Sequence, residues 1–276
     1  MEVRDHCLGI LQSESLDAKL RAPSVSLSDR RPGPAVRFER PRRPPELEIV
    51  PAAEAPVPSI EGMPDPAQRP RILHAFANHE LQAVELFAWA LLAFPGSPAA
   101  FREGLLGILR EEQMHCRLYA KRLDAFGVRL GDFPVSGYFW NKARGFETPA
   151  HFVCAMSLTF ENANLDHSLD YAEAARASGD EETARLLERI HRDEIGHVRF
   201  GWRWLAHFKR SEQSMADAYL EHLGWPLRPV LARGKTFHPE GREAAGIDAE
   251  FIRMLADAET DETDEAGRGT GESHTT

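Results

Sequence analysis

Glu112-Gln113-Met114-His115 and Glu194-Ile195-Gly196-His197 each set a carboxylate three residues before an imidazole. On a helix that spacing brings both side chains to one face, so both can reach one point in a core. Carboxylate oxygen and imidazole nitrogen aimed together point to a metal site. A third match, Glu188 with His191, lies in the same stretch as Glu194. Roughly one such match is expected by chance in a chain of this Glu and His content, so context has to decide among them.

The elements that carry these pairs are read from apolar spacing. Leu73, Phe76, Ala77, Val84, Phe87 and Leu91 recur at helical intervals up to Phe94. Pro95-Gly96-Ser97-Pro98 breaks that helix. Ser97 is expected as N-cap and Pro98 as first residue of a second helix, which runs to Phe126 and stops at Gly127. Residues 127–147 form a long connection whose Phe133, Tyr138, Phe139 and Trp140 are expected to pack over the bundle. Thr148-Pro149 opens a third helix reaching Ser178, and Ser178-Gly179-Asp180 turns into a fourth over Glu181 to Phe208. Short connections make antiparallel neighbours, so the plan is hairpin, crossover, hairpin: an all-α four-helix bundle with a long crossover between helices two and three.

In each hairpin a lone Glu stands level with a Glu-x-x-His pair, to within about one helical turn. Glu80 faces Glu112 and His115; Glu161 faces Glu194 and His197. The separations from Glu80 to Glu112 and from Glu161 to Glu194 are nearly equal. Glu80 shares its stripe with Leu73, Phe76, Val84 and Phe87, and Glu161 with Cys154, Leu158 and Leu165. Buried together, four carboxylates and two imidazoles would repel and desolvate one another at severe cost. No Lys or Arg lies on the same faces, but two divalent cations would balance the four Glu charges. That is the arrangement of dinuclear carboxylate bundles. Glu85 competes with Glu80 as the first-helix ligand, on the neighbouring stripe with Leu81, Ala88 and Leu92. His79, Asp166 and His167 read as surface groups or as groups behind the ligands, and His191 as one behind Glu194. Cys116 and Cys154 read as core.

Around this bundle the chain changes character. Residues 3–20 read as one short amphipathic helix. Prolines then crowd the stretch to Pro70, which reads as an extended arm or linker made locally basic by Arg30, Arg31, Arg37, Arg40, Arg42 and Arg43. Short helices are expected over Glu212–Leu223 and Asp248–Ala256, and a disordered acidic tail from Glu259. The expected organisation is therefore 1–70 N-terminal helix and arm, 71–210 bundle, 211–258 C-terminal extension, and 259–276 tail. A net charge of -10 argues against a general nucleic-acid binder. Cys7, Cys116 and Cys154 make no paired framework, and no signal peptide or membrane-spanning run is evident, so a cytoplasmic protein is expected.

Several stretches carry a family resemblance: His79-Glu80-Leu81-Gln82-Ala83-Val84-Glu85-Leu86, the Phe133-Pro134 crossover, Thr159-Phe160-Glu161-Asn162-Ala163-Asn164-Leu165, Asp166-His167-Ser168-Leu169-Asp170, Arg192-Asp193-Glu194-Ile195-Gly196-His197, and Gly234-Lys235-Thr236-Phe237-His238-Pro239-Glu240-Gly241. They resemble ferritin-like bacterial proteins grouped as a domain of unknown function (number four-five-five). The resemblance covers most of the chain after the arm. It implies a ferritin-like bundle with Glu80, Glu112, His115, Glu161, Glu194 and His197 as metal ligands. Ferritin-like proteins include ferroxidases, rubrerythrins and a tRNA hydroxylase, so the resemblance fixes no reaction. The leading expectation is an oxygen-activating di-iron oxidoreductase acting on a small molecule with an electron donor still to be identified; manganese is an alternative to the two irons. Ferroxidase or iron handling ranks below it, because the arm and C-terminal extension suit a cage poorly. A non-catalytic metal-binding or interaction protein is the third reading. A tRNA substrate rests on the basic arm alone.

Overall fold

The computed structural model of the chain describes residues 1–224 and 226–259. The tail expected to be disordered lies, from residue 260, outside the described residues. The chain divides into two compact units, Met1–Val50 with Leu73–Phe152, and Pro51–Ile72 with Val153 onward. The fold is all-α, and its four long helices form two hairpins of ferritin-like four-helix architecture. Among the described residues no helix is long and apolar enough to cross a membrane.

In the first unit, α1 (Val3–Gln12) and α2 (Leu16–Leu20) replace the single helix expected over residues 3–20. Ser15 explains the break: its backbone is extended and its hydroxyl accepts from Ala18 N at 3.3 Å, capping α2. α3 (Arg69–Ala93) is apolar on nearly every side, with Leu81, Val84, Leu86, Phe87, Ala88, Leu91 and Leu92 all buried. Such a helix needs cover all round.

One side of that cover is α4 (Ala99–Asp124), where Phe76 meets Tyr119, the Cys116 thiol reaches Ala77 O, and Arg102 Nη1 donates to Leu91 O at 2.7 Å. Numbers rise on one helix as they fall on the other, so the pair is antiparallel. Pro98, and not Ser97, is the N-cap of α4. Ser97 is held in the preceding turn, its N–H donating to Phe94 O at 3.2 Å, one residue too early to cap.

The proline-rich segment supplies another side and is not a free linker. Val36 N donates to Leu92 O at 3.0 Å, and Trp89 Nε1 to Phe38 O at 3.1 Å. The Arg37 guanidinium lies 5.1 Å from the rings of both Trp89 and Phe94. Proline forbids a helix here, so the remaining polar groups are satisfied one at a time. At its end β1 (Ile49–Val50) pairs in parallel with β2 (Val135–Ser136) of the crossover. The crossover aromatics pack as expected: Phe133 meets His74, while Tyr138 and Phe139 flank His79.

The third long helix is interrupted. α5 (Pro149–Ala155) begins with His151 N donating to Thr148 Oγ1. A π-helical turn, Met156–Phe160, then leads into α6 (Glu161–Ala177). Within the second unit that turn is braced on two sides. Thr159 Oγ1 donates to Cys154 O at 2.7 Å and is hydrogen-bonded to the buried Tyr219 hydroxyl at 2.8 Å. Opposite it, Gly201 of α7 (Glu181–Phe208) leaves room where a Cβ would come 2.3 Å from Ser157 Cβ. Asp180 caps α7, accepting from Thr183 N at 3.0 Å.

Of the short C-terminal helices, α8 (Met215–His222) and α10 (Ala249–Ala256) fall where expected, and α9 (Pro239–Ala245) does not. α9 carries Arg242, whose fully buried guanidinium donates to both oxygens of Asp166 at 2.7 and 2.9 Å. Gly234 N and His238 N also donate to Asp166, each at 2.8 Å. Asp166, read from sequence as a surface group or one behind the ligands, is thus wholly buried as the anchor of the C-terminal segment.

Candidate metal centre

Each hairpin brings together two Glu and one His. In the first unit α3 presents Glu80 and α4 presents Glu112 and His115, with ligand atoms within 4.8 Å of one another. His115 Nδ1 lies 3.6 Å from Glu80 Oε2 and 3.7 Å from Glu112 Oε2. In the second unit α6 presents Glu161, and α7 presents Glu194 and His197, again within 4.8 Å. His197 Nδ1 lies 3.1 Å from Glu194 Oε2 and 3.8 Å from Glu161 Oε1. None of the six residues is more than 6% exposed. The i, i+3 spacing on α4 and α7 sets each Glu and His on one face, and the antiparallel partner adds the lone Glu at the same level.

Burial, and then the charge of Glu112, push the Glu80 carboxyl well above the ordinary carboxylate range. Glu85 shows the opposite. Burial alone would raise it, but Arg43, Lys19 and the Trp140 indole more than offset that and hold it below the ordinary range. Arg43 Nε and Nη2 donate to it at 3.0 and 2.7 Å, Lys19 Nζ lies at 3.1 Å, and Trp140 Nε1 donates at 2.9 Å. Its charge and oxygens are taken up by fixed donors, and it is not brought into the cluster.

The other candidates have separate roles. Glu188 pairs with Arg176 on the surface of the second unit. His191 Nδ1 meets Ser168 Oγ at 3.1 Å, and burial lowers its pKa. Burial raises all three thiols, Cys7 to about 12, and all three are free. One contact escaped the sequence reading: Asn164 Nδ2 donates to Glu194 Oε1 at 3.0 Å. Its signal was present, since Asn164 follows Glu161 at the same three-residue spacing as the Glu-x-x-His pairs.

The donors fit divalent metal ions. Oxygen and imidazole donors suit iron and manganese, and the two carboxylates of each cluster balance one divalent charge. The buried or nearly buried cations Lys19, Arg43, Arg69, Arg102 and Arg242 are paired elsewhere, with Glu85, Asp180, Asp29 and Asp166. A carboxyl raised by burial and then by a second carboxylate, as at Glu80, is one whose charged form a bound cation would favour.

Long helical hairpins with a Glu/His cluster in each give a ferritin-like four-helix architecture with residues that could hold metal ions. The chain belongs to the family described as proteins of unknown function, DUF455, whose profile matches residues 8–253. It is 30% identical over 198 residues to an "Uncharacterized protein" of Haemophilus influenzae, a match covering 68% of this chain and 67% of that one. No solved structure matches the chain.

Proposed function

We propose that the clusters hold two iron ions, and that the protein is an oxygen-activating oxidoreductase with a small-molecule substrate. The observation that carries this is the repetition of one buried Glu, Glu, His set in both hairpins, each with the charge for one divalent ion. Glu80, Glu112, Glu161 and Glu194 would neutralise the ions, and His115 and His197 would ligate through nitrogen. Two such ions, when bound, could supply two electrons to oxygen, with the remaining two coming from the substrate or an electron donor. The protein's part is to fix the donors and to exclude water. Manganese satisfies the same donors and is the alternative metal. Three unpaired, buried cysteines fit a reducing compartment such as the cytoplasm.

Metal analysis of the purified protein, followed by anaerobic Fe(II) titration and optical spectra before and after oxygen, tests the reading. We expect about two ions per chain, a spectral change on oxygen addition, and loss of uptake in Glu112→Ala and His197→Ala. Accumulation of iron far beyond two per chain would point to iron storage instead. Failure to bind iron or manganese under any of these conditions would remove the metal reading altogether.

A further inference from the structure

We propose that Asn164 is the positioning residue of the second cluster, fixing Glu194 so that its charge stays available to an ion. This rests on the two-ion reading above. The Glu194 carboxylate is an acceptor only, so the group of Asn164 that meets Oε1 at 3.0 Å is the amide NH2. The other oxygen, Oε2, is left turned toward His197 Nδ1 at 3.1 Å. One amide thus selects which oxygen faces the cluster. Asn164 stands one turn beyond Glu161 on α6, so the helix that supplies one ligand also orients another on α7.

The chemistry of the donor matters as much as its position. Glu85 is also held by donors, but besides the Trp140 indole they include the cations Arg43 and Lys19, which match its charge. A neutral amide restrains a carboxylate without cancelling it. Asn164 thus adds no positive charge of its own to the cluster. Ala83, which follows Glu80 at the same spacing in the first hairpin, has no side-chain donor, so this device belongs to the second cluster.

The test reads metal affinity and not turnover. Mn(II) binding is followed by the electron paramagnetic resonance signal of the free ion, without oxygen. It is measured in a Glu80→Ala background, which leaves the second cluster complete. Asn164→Leu keeps the volume and removes the donor; Asn164→Ala removes both. In the Glu80→Ala background both should weaken Mn(II) binding by about 10–100-fold, the range for loss of a group that orients a metal ligand. Unchanged affinity in that background, or loss with Ala and full retention with Leu, overturns the assignment while the two-ion reading stands. If the unaltered chain itself takes up neither Mn(II) nor Fe(II), the underlying reading fails and this one with it.

Discussion

Glu80 and Glu85 lie little more than a turn apart on α3 and are both buried, yet their partners leave the two carboxyls shifted in opposite directions. Glu80 faces Glu112 and His115, and its carboxyl resists ionising. Glu85 is gripped by Arg43, Lys19 and Trp140, and its carboxyl ionises readily. The same substitution should therefore act with opposite sign. Glu85→Gln strands two buried cations and should destabilise the protein by about 3–5 kcal/mol, read from urea denaturation. Glu80→Gln replaces a carboxyl that resists ionising with a neutral group and should raise the melting temperature of the metal-free protein, while reducing the stabilisation that added Mn(II) gives the unaltered chain. A fall in melting temperature for metal-free Glu80→Gln would count against the cluster as a site for cations. Periodicity could not separate these two residues, because each sits on an apolar stripe. What separates them is long-range: Lys19 arrives from α2, and Arg43 from the proline-rich segment that follows it.

At the scale of elements, the helices were legible because apolar spacing and caps are local. α7 runs over the expected residues, and the hairpin turn at Ser178-Gly179-Asp180 ends one helix and caps the next. What was missed depends on contacts remote in sequence. The π-helical turn before Glu161 is set by Gly201 and Tyr219, and α9 is short and anchored through Arg242 to Asp166. Two glycines of α7 expose the difference between local and tertiary rules. Gly196 is exposed with open space where a Cβ would go, whereas a Cβ on Gly201 would collide with Ser157. Gly196→Ala should stabilise by about 0.5–1 kcal/mol through helix propensity. Gly201→Ala gains the same propensity but overpacks the π-helical turn, and should destabilise by about 1–3 kcal/mol. Equal thermal shifts from the two substitutions would mean that the close approach at Gly201 has no energetic weight.

Across the whole chain, polar groups are buried under two regimes. Some carboxylates are matched by cations, as Glu85, Asp29 and Asp166 are; the clustered ones face each other and histidine. The proline-rich segment enforces the first regime at Glu85, and a pH experiment can isolate that work. With its pKa held below the ordinary carboxylate value of 4.5, Glu85 contributes stability that is fully present above that value and is lost as pH falls through the lowered one. Replacing both partners, Lys19→Met with Arg43→Met, leaves burial as the dominant influence and moves the carboxyl above its unfolded value. The sign then reverses: the buried charge is a penalty at neutral pH, and acidification toward the ordinary carboxylate range relieves it. Denaturation midpoints at pH 7 and pH 5 should show the double variant gaining stability on acidification relative to the unaltered chain. Glu80 and the surface carboxylates are common to both proteins, so the difference between the two profiles belongs to Glu85. Parallel profiles would mean that the segment from α2 to β1 is not what keeps this carboxylate charged, and that its role is packing alone.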